Sequence, residues 1–158
     1  MSRISRALLI AAAAVFSLAA CEEKVEEAAA PEIVVPAGQD NDEWKKYVGA
    51  VAKSYVPKGE SARLFVTYAG FGQEEEKTER MVQNTINFLS AGIATGTFLV
   101  FSGDSALARQ VIEESFYEPV EGKLDGVNIL FIGSPEDEEA VRGMIEPWGA
   151  TVLFHSTK

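Results

Sequence analysis

Apolar residues follow two alternating rhythms along this chain. Stretches with apolar positions three and four apart give way repeatedly to short, nearly unbroken apolar runs. Trp44, Tyr47, Val48, Val51 and Tyr55 fall at helical spacing, behind Asp40 as N-cap and Glu43 three residues on, and Pro57 and Gly59 end the segment. Arg63 to Ala69, rich in aromatic and β-branched residues, reads as a strand. Gly70-Phe71-Gly72 then turns the chain. Glu74 to Ala91 makes a second helix with Met81, Val82, Thr85, Ile86 and Leu89 on one face, and Gly92 stops it. Thr97 to Phe101 is an uninterrupted apolar strand that calls for cover on both faces. A helix from about Ser105 to Phe116 comes next, with Leu107, Val111 and Ile112 inward, and then a third strand, Val127 to Ile132. Ser134-Pro135-Glu136-Asp137 is a helix start: serine as N-cap, proline at the first helical position, acids facing the dipole. Val141, Met144, Ile145 and Trp148 form that helix's stripe, Gly149 stops it, and Ala150 to His155 is the last strand. Tyr117 to Gly126 is a polar loop with room for an edge hairpin.

Helices and strands thus alternate, which implies right-handed crossovers, parallel pairing and helices on both sheet faces. Residues 41–158 are predicted to form a single α/β domain with about four mostly parallel strands, and they are numerous enough for a core of their own.

The N-terminus obeys a different grammar. Arg3 and Arg6 precede an apolar run from Ala7 to Leu18, broken only by Ser17, and small residues lead to Cys21. This is the tripartite plan of a secretory signal, too short for a bilayer-spanning helix of roughly 20 residues. The tetrad Leu18-Ala19-Ala20-Cys21 resembles the lipobox of bacterial lipoproteins. That resemblance covers residues 1–21 alone. It implies cleavage after residue 20 and acylation of Cys21, the sole cysteine, as an anchor in the envelope. Two acyl chains make such attachment persistent, since each buried methylene adds about 0.8 kcal/mol. Glu22, in place of aspartate after the cysteine, points by the same resemblance to the outer membrane, with the domain facing the periplasm. Residues 22–40 mix acids, alanines and prolines without a sustained stripe and read as a mostly disordered tether, able to span roughly 65 Å when extended. Ile33-Val34-Val35 is a short β-prone interruption bracketed by Pro31 and Pro36.

Charge narrows the partners. The chain carries 14 basic and 24 acidic residues; the first 20 hold two of the bases and no acid, so residues 21–158 have a net charge of −12. That disfavours nucleic acid and anionic membrane surfaces, and suits a cationic envelope protein. With no second cysteine the domain has no disulfide to lean on.

Candidate chemistry gathers where parallel sheets usually hold ligands, beyond the carboxyl ends of the strands. Gly70-x-Gly72 invites comparison with a dinucleotide fingerprint, but Glu75 stands at the third glycine position and Glu74–Glu76 would repel a pyrophosphate, so no nucleotide or other cofactor is expected. The acid run Glu136–Glu139 lacks the spacing of a calcium loop, and one histidine without a spare cysteine leaves no structural zinc set. A hydrolase is one alternative, with His155 meeting a rim serine such as Ser102, Ser105 or Ser134 and Asp104 orienting the ring; no Gly-x-Ser-x-Gly elbow supports it, and the serines read as helix caps. The leading expectation is a non-enzymatic binding module engaging an envelope protein or small ligand through a rim of Phe71, Asp104 and Ser134. Phe71 stands out there as an aromatic between two glycines with no obvious core to enter. An inhibitor or immunity-type lipoprotein and a structural envelope component are the remaining alternatives.

Overall fold

The computed structural model describes residues 33–158; Cys21, the segment 1–20 and most of the tether lie outside the described residues. The elements run α1 (Asn41–Ser54), β1 (Arg63–Ala69), α2 (Glu75–Ala91), β2 (Thr97–Gly103), α3 (Ser105–Ser115), β3 (Asn128–Gly133), α4 (Glu138–Ile145) and β4 (Thr151–Ser156). Single 3-10 turns, Pro135–Asp137 and Glu146–Trp148, flank α4. Among the described residues no helix is long and apolar enough to cross a membrane.

The four strands form one parallel sheet in the order β1-β2-β3-β4. Each new strand is laid on the same side of the last, so right-handed crossovers send every connecting helix to one face. The packing agrees: Val82 and Leu89 of α2, Val111 and Ile112 of α3, and Val141 and Ile145 of α4 share a core with Leu99, Phe101, Ile129 and Phe131. The opposite face is covered by α1 alone, whose Trp44, Tyr47, Val48 and Val51 pack on Val100, Leu130 and Ile132. Helices therefore do lie on both faces, three against one. β2 is buried throughout and β3 nearly so, as expected of near-continuous apolar strands.

Local chemistry fixes the element ends. Asp40 caps α1, its Oδ1 accepting from the amides of Asp42 (3.0 Å) and Glu43 (2.9 Å). Asp104 caps α3 by accepting from Leu107 N. Gly103 closes β2 with a positive φ of 107°, and a methyl group there would collide with the Ala69 carbonyl oxygen, so only glycine fits.

Two expectations are corrected. Tyr117–Gly126 holds no hairpin; it is a series of turns pinned by fully buried Leu124, whose amide donates to Trp148 O. Nor is the tether loose up to residue 40: Val35 packs into the α1-side core, and Trp44 Nε1 donates to Gly38 O at 2.6 Å.

Candidate functional site

An ordered strand sequence 1-2-3-4 contains no point where the winding reverses, and such a reversal is what opens a crevice at the carboxyl rim of α/β sheets. The rim is accordingly filled by its own side chains. Phe71 is half-buried, its ring 5.2 Å from Trp44, and its backbone is clamped by Asn41: Phe71 N donates to Asn41 Oδ1 (2.9 Å), and Asn41 Nδ2 donates to Phe71 O (3.3 Å). The aromatic between two glycines has a core after all, supplied by α1 folding back over the sheet. Asp104 is occupied as a cap. Ser134 makes no side-chain bond to a helix amide, contrary to its expected capping role, and its own amide donates to Ser105 Oγ (2.8 Å). Ser105 is not a cap either: its hydroxyl donates to Asp137 Oδ2 at 2.6 Å, and Arg109 Nε lies 3.3 Å from the other carboxylate oxygen. These contacts tie the starts of α3 and α4 together.

His155 sits elsewhere. It projects from β4 onto the α1 face, between Tyr47 and Tyr55. Tyr55 OH donates to Phe154 O at 2.9 Å, so its oxygen faces His155 Nδ1 (3.3 Å) as acceptor. The ring then carries its proton on Nδ1, and Nε2 accepts from Tyr47 OH at 3.0 Å. Burial holds the imidazole below its ordinary pKa and pushes both tyrosines above theirs, Tyr47 further raised by Tyr55. Neither Ser102 nor Asp104 shares in this chain of bonds. Ser102 is fully buried, and its hydroxyl has no partner among the described residues. The triad considered from sequence is therefore not assembled: His155 is held by two tyrosines, on a different bond network from Asp104. Among the described residues no group of three or more His, Cys, Asp or Glu is arranged to hold a metal ion.

An exposed apolar patch lies at the opposite edge of the sheet. β1 carries Phe65 and Val66 at 44% and 48% exposure, one on each face of the strand. Beside them a groove of about 520 Å³ runs between β1 and α2, walled by Phe65, Met81 and Phe88 and floored by Leu99 and Phe101. Lys45 and Lys77 flank it, and no carboxylate lines it. Phe65 leans on Phe88 at 4.6 Å between centroids, a tilted aromatic pair that joins β1 to α2 along the groove. Sequence reasoning missed these residues. The available signal was the polar interruption of β1 by Arg63, Thr67 and Tyr68, where β2 and β3 run nearly all apolar.

Comparison of the chain with protein-family models, with curated proteins and with solved structures returns no match. Its class is that of a parallel α/β domain wound in one direction, with three helices on one face and one on the other.

Proposed function

We propose that this chain is a lipid-anchored envelope protein, attached through Cys21, whose α/β domain works as a binding module and not as an enzyme. The anchor rests on Leu18-Ala19-Ala20-Cys21 behind a basic and apolar leader, and Glu22 favours the outer membrane with the domain in the periplasm. The binding role rests on one observation above others: two large apolar side chains, Phe65 and Val66, left exposed on an edge strand beside an apolar groove. Leaving such surface open costs solubility, and soluble domains keep it mainly where a partner covers it. The acidic tether suits this role by letting the module stand off the membrane and search for that partner.

Two measurements test the reading in intact cells. A clickable fatty acid should label the wild-type chain and not Cys21→Ala. A photo-crosslinking residue at position 65 should yield adducts in the envelope that the same residue at position 139, on the exposed side of α4, does not. Equal labelling of Cys21→Ala removes the anchor; recovery of the unlinked chain from position 65 across growth conditions removes the binding role.

A further inference from the structure

The two edges of the sheet are treated differently. On β4, Thr151 N donates to Val127 O and Thr157 N donates to Gly133 O, so odd-numbered residues face β3 and even-numbered ones face outward. Two of the outward carbonyls are occupied: Arg142 Nη1 donates to Val152 O (3.0 Å), and Tyr55 OH donates to Phe154 O. On β1, Ala69 O accepts from Asp104 N on the β2 side, so alternation points the amides and carbonyls of Leu64, Val66 and Tyr68 away from the sheet. No described side chain bonds to those groups. β1 also lacks the usual guards of an open edge: from Leu64 to Ala69 it has no charge and no proline.

We propose that β1 accepts an added strand from a protein partner: an extended segment with apolar residues at alternate positions and carboxylates at its ends. This rests on the reading of the domain as a binding module and specifies its mode and its partner's chemistry. The main chain of the incoming segment pairs with Leu64, Val66 and Tyr68, and alternate side chains enter the groove between β1 and α2. Charge selects the partner. On a chain with a large acidic excess, this groove is flanked by Lys45 and Lys77 and lined by no acid. Lys77 has no ion pair with a described residue, whereas Lys45 is shared with Asp42 (3.2 Å). A carboxylate near Lys77 therefore gains a pairing without breaking one. Two copies joined β1 to β1 would instead bring the lysines of both to one seam, where Asp42 answers Lys45 alone and Lys77 gains no partner, which argues against self-pairing.

The test uses the full-length chain in detergent and a synthetic peptide as long as β1, alternating valine and threonine between terminal glutamates. In the free protein the amides of Leu64, Val66 and Tyr68 should exchange rapidly with solvent while those of Phe65 and Thr67 are protected. The glutamate peptide should slow exchange at the three outward amides. A lysine-ended peptide and a backbone N-methylated one should each bind at least about tenfold more weakly. Val66→Pro removes the central outward N–H without touching the ladder to β2 and should weaken binding by a similar factor. Should that variant unfold, Phe65→Glu, which sets a carboxylate on the groove wall, replaces it with the same expectation. The proposal is overturned if the outward amides are protected in the free chain, if the glutamate peptide at millimolar concentration leaves them unchanged, or if both variants bind like the wild type. Dimers that Val66→Pro abolishes would assign the edge to a second copy and equally overturn it. An envelope adduct from position 65 together with a failed peptide removes strand addition alone, while loss of the adduct removes the module reading itself.

Discussion

His155 Nε2 lies 3.0 Å from the hydroxyl of Tyr47, a bond that joins the last strand to the first helix across nearly the whole domain. With Tyr55 on the other ring nitrogen, it places the only histidine in a bond network that favours the neutral ring. Burial depresses its folded-state pKa below the ordinary value of about 6.5. The unfolded chain therefore takes up a proton first as pH falls. The stability this group contributes is complete above pH 6.5 and is lost as pH drops through the lower, folded value. Chemical denaturation should show stability declining from pH 7.5 towards pH 5, and His155→Gln should flatten that decline. An identical slope in the variant would mean another group titrates. Glu136, held down by its bond to Lys158, acts below this window, in the carboxylate range.

Gly103 to alanine should be among the most damaging single changes in the domain. It forces a side chain into left-handed backbone and against Ala69 O, where β1 and β2 meet Asp104. We expect a loss of about 3 kcal/mol by equilibrium unfolding. A loss below about 1 kcal/mol would show that the turn relaxes freely. Gly143, where a methyl group meets nothing within 4 Å, serves as the control.

Phe71 separates two readings of one residue. As an exposed contact it would be replaceable without cost to stability; packed on Trp44 it is not. Phe71→Ala should lower stability by about 1–2 kcal/mol, less than for a fully buried phenylalanine because the ring is half-exposed. Unchanged stability with lost envelope adducts would restore it as a contact residue.

The parallel α/β plan was legible because β2 and β3 are uniformly apolar while their helices are amphipathic; those two periods cannot be confused. Asp40 was legible as a cap because capping is decided within three residues. The features that stayed hidden depend on distant chain. Phe71 looked homeless because its cover, Trp44, arrives from a helix before the strand it follows. Ser105 and Ser134 looked like caps because their real partners are each other and Asp137, about thirty residues away. A rim site presupposes a winding reversal, and strand order cannot be read from strand identity. The exposure of Val66 comes from the same order, since composition marks β1 as a strand but not as an edge.

Ser105 joins α3 to the turn before α4 by donating to Asp137 and accepting from Ser134 N. Replacing it with alanine leaves an amide and a half-buried carboxylate short of a partner, a loss of about 1–3 kcal/mol. Ser105→Ala should therefore lower the unfolding midpoint while leaving position-65 adducts intact. Wild-type stability combined with loss of cellular function would instead favour a chemical role for this hydroxyl.

The capped edge of β4 yields the last prediction. Arg142 and Tyr55 each satisfy one outward carbonyl of that strand, and Arg142 also bridges Glu138 at 2.8 Å along α4. Removing either should cost about 1–2 kcal/mol, since Tyr55 also meets His155 and Arg142 also meets Glu138, without opening the edge, because the remaining cap still interrupts it. Removing both, as Tyr55→Phe with Arg142→Ala, uncovers Val152 O and Phe154 O together on a strand that carries Leu153 and Phe154 half-exposed. An uninterrupted edge of that kind templates pairing with another chain. The double variant should then sediment as concentration-dependent oligomers at salt and pH where each single variant stays monomeric. If it remains monomeric with only additive loss of stability, the two side chains brace β4 without guarding it, and the contrast with β1 loses its meaning as a contrast of exposure.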